Sequence, residues 1–248
     1  MIANTRLILV VPAFNESARI QSSDYFSRII SENNVCILFV NDGSNDDTPV
    51  VLDSIAKQIQ CNVLHLERNV GKAEALREGF LYAFKEFDPE LIGFLDCDAA
   101  FSIESVSDFI AKALEKFQHD ASCYACISSR AKLSGRVIVR DTSRHYISRI
   151  LITFIGLFVN NLPYDSQSGL KVFRNSEELH KALSKPFKTR WFFDLELLIR
   201  TGWLNAHQVW EEPVLEWKDV AGSHLNIRKS PMLVREIFYI IKLGKTPR

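Results

Sequence analysis

Two aspartates, Asp96 and Asp98, directly follow the apolar run Leu91–Leu95, and their type and spacing suit metal chemistry. An apolar run of this length is typical of a buried parallel strand. Residues two apart in an extended chain face the same way, so both carboxylates can bind one cation. Hard oxygen ligands without a histidine or thiolate favour Mg²⁺ or Mn²⁺ over zinc. The pair therefore predicts a divalent metal site that can also hold a diphosphate.

Three further polar clusters follow apolar runs in the same way. Strand-like and helix-like segments alternate over the first hundred residues, which predicts a parallel sheet with right-handed crossovers. Because the carboxyl ends of parallel strands lie on one edge of the sheet, we expect the four clusters to converge on one crevice. The candidate donor-binding residues at this edge are Pro12, Asn15, Glu16, Asp42, Lys72 and Asp96.

The spacing of apolar residues predicts the elements that must position these side chains. We expect strands at 7–11, 36–40, 62–66, 91–95, 124–128, 170–173 and 214–217. We expect helices at 48–60, 72–87, 102–117, 140–159, 193–201 and 231–243. The fold class is therefore α/β, with a mainly parallel sheet flanked by helices and a C-terminal elaboration.

The composition excludes some classes of protein. The chain has 248 residues and 47% hydrophobic content, which is enough to bury a full core. Thirty basic and thirty acidic residues cancel, whereas a nucleic-acid-binding protein needs a basic face. The longest apolar stretch, 150–159, is shorter than the roughly 20 residues that span a bilayer. We expect a soluble, cytoplasmic protein, and contact with a membrane surface stays open.

Basic residues crowd one region of the second half, ahead of its apolar stretch, and Arg130 and Arg144 are the candidates there. Such a cluster suits an anionic head group on an apolar tail. A solvated basic helix face is the alternative explanation of the same pattern.

Two acids of the second half are candidate functional residues. Asp165 begins a polar loop between apolar segments, and Asp194 lies near the start of a predicted helix among aromatic residues. An acid buried among aromatics is costly unless it is paired or functional. For Asp194, capping of the helix N-terminus is the alternative role.

Taken together, these segments resemble glycosyltransferase family 2, whose members have the GT-A fold. The likeness is closest to its polyprenyl-phosphate branch, which includes enzymes of the dolichyl-phosphate glucosyl and mannosyl type. The similar segments occur in order over nearly the whole chain, and those from Arg130 onward are the more specific to that branch. They are 10–16, 40–44, 69–72, 95–99, 129–130, 165–173, 190–198 and 222–225.

The resemblance implies an inverting transfer of a hexose from a UDP- or GDP-sugar to a polyprenyl phosphate, with Mg²⁺ or Mn²⁺ as cofactor. It implies that Asp42 and Glu16 hold the nucleoside, while Asp96 and Asp98 hold the metal and the diphosphate. One domain, 1–248, would comprise a nucleotide-sugar-binding half, 1–100, and an acceptor-binding half with the terminal helix, 101–248.

On the acceptor side, the resemblance matches Arg130 and Arg144 to arginines that contact phosphate. His224 stands where many members have a lysine, so it is the third candidate for the acceptor phosphate. If the acceptor were instead a sugar hydroxyl, as in the synthesis of a cell-envelope polysaccharide, Asp165 or Asp194 would be needed as the base. A non-catalytic module that binds nucleotide-sugars is the third hypothesis. The predicted terminal helix is expected to associate with a membrane surface.

Overall fold

A computed structural model describes residues 6–20, 23–205, 207–220 and 231–245. Strands and helices alternate along its first half. In chain order the elements are β1 (Leu7–Ala13), α1 (Ser23–Asn33), β2 (Cys36–Asn41), α2 (Thr48–Ile59), β3 (Asn62–His65), α3 (Lys72–Phe87), β4 (Leu91–Leu95), α4 (Ile103–His119), β5 (Ala125–Ser129), β6 (Val137–Val139), α5 (Thr142–Gly156), β7 (Leu170–Arg174), α6 (Glu177–Leu183), α7 (Phe193–Thr201), β8 (Val209–Pro213), β9 (Glu216–Lys218) and α8 (Pro231–Gly244).

The central sheet has seven strands in the order β3-β2-β1-β4-β7-β5-β8. The first four in this order are mutually parallel, as the alternation of elements predicts. Strand β7 runs antiparallel to both of its neighbours, and β8 is parallel to β5. The sheet is therefore mainly parallel with one reversed strand, which confirms the predicted fold class. Strands β6 and β9 pair separately as a small two-stranded sheet.

The core forms on both faces of the sheet, because successive side chains of a strand point to opposite sides. In β1, Leu9 packs in the cluster that includes residues of α1, α2 and α4. Its neighbours Ile8 and Val10 pack in the cluster that includes residues of α3, α6 and α7. A third cluster joins α5, α7 and α8, with Ile155 and Ile240 fully buried in it. The terminal helix is thus docked on the body of the protein through α5 and α7.

The prediction of a strand at 214–217 was wrong in its placement. The chain forms β8 at Val209–Pro213 in the main sheet and β9 at Glu216–Lys218 in the small one. Helices α1 and α6 and strand β6 were not predicted. The helix expected at 140–159 is shorter, since α5 runs from Thr142 to Gly156. In the parts of the chain that the structure describes, no helix combines the length and hydropathy needed to cross a bilayer.

Candidate active site

The aspartate pair lies at the carboxyl end of β4, where a glycine makes room for it. The Asp96 N–H donates to the Gly169 carbonyl at 2.9 Å. A Cβ atom on Gly169 would lie only 2.3 Å from Asp96 Oδ2, so the loop that ends there packs directly against this carboxylate. Asp98 Oδ1 accepts a hydrogen bond of 3.1 Å from the N–H of Ala100. Neighbouring backbone therefore holds both acids at the strand end.

Lys72, the first residue of α3, supplies a positive charge to this pair. Its Nζ lies 2.5 Å from Asp96 Oδ1 and 5.8 Å from the centre of the Phe94 ring. Desolvation would lower the pKa of Lys72, but the Asp96 carboxylate raises it above its usual value. The ammonium therefore stays charged beside the aspartates, where a diphosphate would also lie.

A cleft of about 450 Å³ opens at this edge of the sheet. The structure brings together most of the predicted donor-side residues as well as the predicted metal ligands. Those that line the cleft are Pro12, Glu16, Asp42, Lys72, Asp96 and Asp98.

Asn15 is the predicted donor residue that is not part of that lining. Its side-chain Oδ1 accepts a hydrogen bond from the Asn45 N–H at 2.9 Å, and its own N–H donates to Ser44 Oγ at 3.0 Å. Asn15 has a positive φ of 53°, a conformation that asparagine tolerates better than most residues. In this structure it joins the loops that follow β1 and β2.

Asp42, at the end of β2, organises the wall of the cleft. Its carboxylate accepts hydrogen bonds from the N–H groups of Val70 and Gly71, at 2.7 and 2.9 Å, and from the Asn69 side chain at 2.9 Å. Burial raises the pKa of Asp42, and the two backbone hydrogen bonds oppose that rise. The next residue, Gly43, has φ +62°, and a Cβ there would meet the Arg68 backbone at 2.3 Å. Asp42 thus fixes the loop that leads into Lys72.

Negative charge accumulates where the metal was predicted. Glu16 Oε2 is buried and has no hydrogen-bond partner among the described residues. Burial raises the pKa of Glu16, and the negative charges of Asp98 and Asp96 raise it further. The ion pair with Arg19 opposes this rise. The pKa of Asp98 is also raised, by burial and then by Asp96. The described part of the chain contains no group of three acidic, histidine or cysteine side chains that could hold a metal by itself. The carboxylates of Asp96 and Asp98 are nevertheless the ligands that Mg²⁺ or Mn²⁺ prefers, so this pair fits a cation whose remaining ligands come from a diphosphate and water.

A second cleft, of about 350 Å³, shares Lys72, Asp96 and Asp98 with the first. It extends away from β4 towards the second half of the chain, where Arg130 and Asp194 line it. The aspartate pair therefore lies where the two clefts meet. A donor in the first cleft and an acceptor in the second would have their reacting ends at this point.

Asp165 lies behind Arg130 and is not part of the lining of either large cleft. Its two oxygens accept from Arg130 Nε and Nη2 at 2.7 and 2.6 Å, and Oδ2 also accepts from the Arg130 N–H at 2.9 Å. Burial alone would raise the pKa of Asp165, but the guanidinium outweighs it and lowers the pKa to about 2. Such a paired carboxylate is a weak base, and its contacts hold Arg130 in place.

Asp194 lines the second cleft and forms a buried ion pair. Its Oδ1 lies 2.6 Å from Lys171 Nζ, which also donates to the Ser168 carbonyl at 2.5 Å. Burial raises the pKa of Asp194 and lowers that of Lys171. The bonded partner of Asp194 is thus a lysine on β7, rather than the N-terminal backbone of α7 that a capping role requires.

Two predicted phosphate-binding residues cannot be placed in the cleft. The backbone of Arg144 belongs to α5, but its side chain lies outside the described residues, and so does all of His224. Arg140, a member of the basic cluster predicted for this region, lines the second cleft, as do Arg190 and Trp191, which were not predicted as site residues. The signal for Arg190 and Trp191 was present, because both stand in the segment 190–198 that carries the family resemblance.

The mainly parallel sheet, with an aspartate pair at the end of β4 between two clefts, defines a glycosyltransferase of the GT-A fold. Glucosyl-3-phosphoglycerate synthase of Mycobacterium tuberculosis, crystallised with phosphoglyceric acid, superposes with a TM-score of 0.69 over 98% of this chain and 81% of its own, at 18% identity. A mannosyltransferase of Pyrobaculum calidifontis, crystallised with GDP-Man and Mn²⁺, gives 0.63 over 98% of this chain and 66% of its own, at 17% identity. At such identities the likeness shows the fold.

The chain belongs to glycosyl transferase family 2, whose model matches residues 8–177. A dolichyl-phosphate beta-glucosyltransferase of Trichomonas vaginalis is 32% identical over 88% of this chain. One of Saccharomyces cerevisiae is 28% identical over 96% of it. The chain spans 65% of the length of the first relative and 74% of the second. The predicted family, fold and enzyme class are confirmed.

Proposed function

We propose that this chain transfers a hexose, with inversion of the anomeric configuration, from a nucleoside-diphosphate sugar to a polyprenyl phosphate. The observation that carries the proposal is the meeting of two clefts at Asp96 and Asp98, with the guanidinium of Arg130 lining the acceptor side. The bond between the sugar and the diphosphate breaks, a bond to an acceptor phosphate oxygen forms, and the nucleoside diphosphate leaves. The relatives named dolichyl-phosphate beta-glucosyltransferases support this acceptor class and glucose as the sugar.

On the donor side, Asp96 and Asp98 would hold Mg²⁺ or Mn²⁺, which would supply Lewis-acid stabilisation to the departing diphosphate. Lys72, now paired with Asp96, is placed to contact the same phosphates. Glu16 and Asp42 line the same cleft, and we assign them to the nucleoside. Asn15 holds the loop beside them.

On the acceptor side, fixed positive charge matters more than a base. A phosphate monoester is already anionic near neutral pH, so it can attack without a strong general base. Arg130, held by Asp165, and Arg140, 3.8 Å from the same carboxylate, offer guanidinium groups to such an anion. We assign Arg144 and His224 to the same phosphate because of the family resemblance of their segments.

The two acids that a sugar-hydroxyl acceptor would need as base are both engaged. Asp165 is paired with Arg130 and has a lowered pKa, while Asp194 is paired with the buried Lys171. The lowered pKa makes Asp165 a weak base, and Lys171 occupies Oδ1 of Asp194. This pairing favours a phosphate acceptor over transfer to a glycan.

An apolar stripe on α5 and the turn that directly follows it supports contact with a bilayer, from which a lipid phosphate would enter. Its large side chains are between 40% and 74% exposed. On α8, Val234 and Phe238 are exposed as well, and Lys245 lies over the Phe158 ring at 4.7 Å. Exposed apolar surface next to basic residues is typical of a membrane-surface site. The stripe consists of Tyr146, Ile150, Phe154, Leu157 and Phe158.

The test is transfer of radiolabelled sugar from UDP-glucose or GDP-mannose, with Mn²⁺, to a polyprenyl phosphate or to an oligosaccharide. We expect label in a solvent-extractable product that mild acid releases. Label only in the oligosaccharide would instead establish the hydroxyl acceptor. If calorimetry shows that the donor binds but no label reaches either acceptor, the chain is a non-catalytic module that binds nucleotide-sugars.

A further inference from the structure

Two buried glutamates bind four consecutive backbone N–H groups just before α7. Glu196 Oε2 accepts from the N–H groups of Lys188 and Thr189, at 3.0 and 2.8 Å. Glu236 accepts from those of Arg190 and Trp191, at 3.0 and 2.9 Å, one on each oxygen. The whole turn at 188–191 is therefore held by carboxylates, one from α7 itself and one from the terminal helix.

Glu236 lies 45 residues beyond Trp191 in the chain, so its role in this turn depends on how α8 docks. Glu236 is only 4% exposed, and a buried carboxyl group is costly unless hydrogen bonds satisfy it. The N-cap position of α7 is Phe192, which has no side-chain cap hydrogen bond. The N–H groups that precede this helix are satisfied by one carboxylate within it, Glu196, and one from α8, Glu236.

The held turn forms the wall of the acceptor-side cleft. Arg190 and Trp191 both line that cleft, and Asp194 follows them in the first turn of α7. The Trp191 carbonyl accepts from Gln167 Nε2 at 3.1 Å, so its residue is fixed by α8 on one side and by the 165–169 loop on the other.

We propose that Glu236 is a positioning residue that holds Arg190 and Trp191 at the acceptor end of the cleft. Docking of the terminal helix then determines how well the acceptor binds, although α8 itself supplies no residue to the lining of either large cleft in the described part of the chain. The identity of the acceptor rests on the proposed function. The restraint on the turn does not, and it can be measured without substrate.

The experiment compares Glu236→Gln with Ile240→Ala in the full chain. Glutamine keeps the size but turns a donor amide towards one of the two N–H groups, so one hydrogen bond is lost. Ile240 is fully buried in the same helix and touches neither N–H group, so its truncation loosens α8 without altering the carboxylate. The readouts are hydrogen exchange of peptides covering 188–193, and separate apparent KM values for nucleotide-sugar and polyprenyl phosphate.

We expect Glu236→Gln to speed exchange at 188–193 and to raise the acceptor KM about tenfold, the usual effect of one lost hydrogen bond to a charged group. The donor KM should stay within about twofold. If both variants lose the same thermal stability and raise the acceptor KM by the same factor, the role of Glu236 is purely structural and the proposal is overturned. Unchanged exchange and unchanged KM in Glu236→Gln would overturn it as well.

Two further outcomes have a definite meaning. If Glu236→Gln does not fold, hydrogen exchange in the wild-type chain tests the proposal instead. Rapid exchange of the Arg190 and Trp191 N–H groups would contradict the proposed restraint. If the wild-type chain transfers nothing to polyprenyl phosphate, the proposed function fails. Faster exchange at 188–193 in Glu236→Gln than in Ile240→Ala would then still support the restraint on the turn.

Discussion

The donor and acceptor sides of the site differ in how completely their acidic side chains are paired with basic ones. On the donor side, Glu16, Asp96 and Asp98 crowd together, and burial and mutual repulsion raise the pKa of Glu16 and Asp98. On the acceptor side, Asp165 and Asp194 each have a basic partner, Arg130 and Lys171 respectively. The first arrangement is suited to an added cation, and the second presents guanidinium groups to an added anion.

The two sides also differ in how they are assembled. The donor side consists mostly of residues that directly follow β1, β2 and β4, so neighbouring strands bring them together. The acceptor side depends on contacts between residues 35 to 46 positions apart, such as Arg130 with Asp165 and Arg190 with Glu236. We therefore expect substitutions on the donor side to affect chemistry, and those on the acceptor side to affect binding and stability together.

The largest effect should come from Asp98→Ala on the donor side. Loss of a metal ligand removes several kcal/mol of charge stabilisation in the transition state, so the transfer rate should fall by at least about 100-fold. Initial rates with Mn²⁺ measure the rate, and calorimetry with Mn²⁺ and UDP measures binding. Asp24→Ala, an exposed acid on α1, is the matched control. Equal rates in wild type and Asp98→Ala would remove the metal assignment.

On the acceptor side, Asp165→Asn should reduce stability and acceptor binding together. The substitution leaves the Arg130 guanidinium buried without its counter-ion, which typically lowers the free energy of unfolding by about 3 kcal/mol. Arg130 also loses its restraint, so the apparent KM for polyprenyl phosphate should rise about tenfold while donor binding is unchanged. Urea denaturation and steady-state rates measure these effects. An unchanged acceptor KM would show that the position of Arg130 does not affect acceptor binding.

The same ion pair predicts a pH dependence of stability. The pKa of Asp165 is about 2 in the folded state and near 3.8 when unpaired, so the folded state binds fewer protons between these values. The stabilisation is therefore complete above about pH 4 and is lost as the pH falls through about 2, with an amplitude of about 2 kcal/mol. Urea denaturation of wild type and Asp165→Asn between pH 2 and 5 tests this. The difference between them should shrink as the pH falls, and a constant difference would contradict the pairing.

A smaller effect is expected where the two sides touch, at Gly169. In Gly169→Ala the new Cβ would lie 2.3 Å from Asp96 Oδ2, so the carboxylate must shift. A displacement near 1 Å at reacting groups can reduce a rate by about 100-fold, and partial relaxation should limit the loss to about tenfold. Steady-state kinetics should show this loss mainly in kcat. Gly135→Ala has nothing within 4 Å of the new Cβ and serves as the control, although its φ of +80° makes it strained.

The sequence predicts this molecule best where burial produces a strong periodic pattern. The bounds of β4, α3 and α7 agree with those predicted, because continuous apolar runs and helical spacing mark them clearly. Strand β8 was missed because Glu211 and Glu212 interrupt its apolar pattern. Glu211 accepts hydrogen bonds from the N–H groups of Tyr164 and Asp165, a function that no local pattern reveals. Helix α1 is different, since its apolar residues have helical spacing and could have predicted it.

Prediction of the site was limited in the same way, because contacts between distant segments leave no local sequence pattern. Asp42 and Asp96 could be located because each follows a strand whose neighbours were also predicted. The pairing of Asp165 with Arg130 and the placement of Glu236 against Arg190 depend on tertiary packing between distant segments. Sequence alone therefore made Asp165 a candidate functional acid, but it could not show that its partner is a guanidinium.

The smallest effect on chemistry should come from the apolar stripe of α5 and the turn after it, which does not line either large cleft. In the double variant Ile150→Ser, Leu157→Ser, co-sedimentation with vesicles of neutral and anionic lipids should fall at least about tenfold, since burying one leucine side chain stabilises by about 1.5–3 kcal/mol. The rate with a short-chain polyprenyl phosphate in detergent should stay within about twofold. Val50→Ser changes an equally exposed apolar residue on α2 and should not affect vesicle binding. Unchanged sedimentation of the double variant would rule out the stripe as the membrane contact, because its two most exposed aliphatic side chains would then contribute nothing to binding.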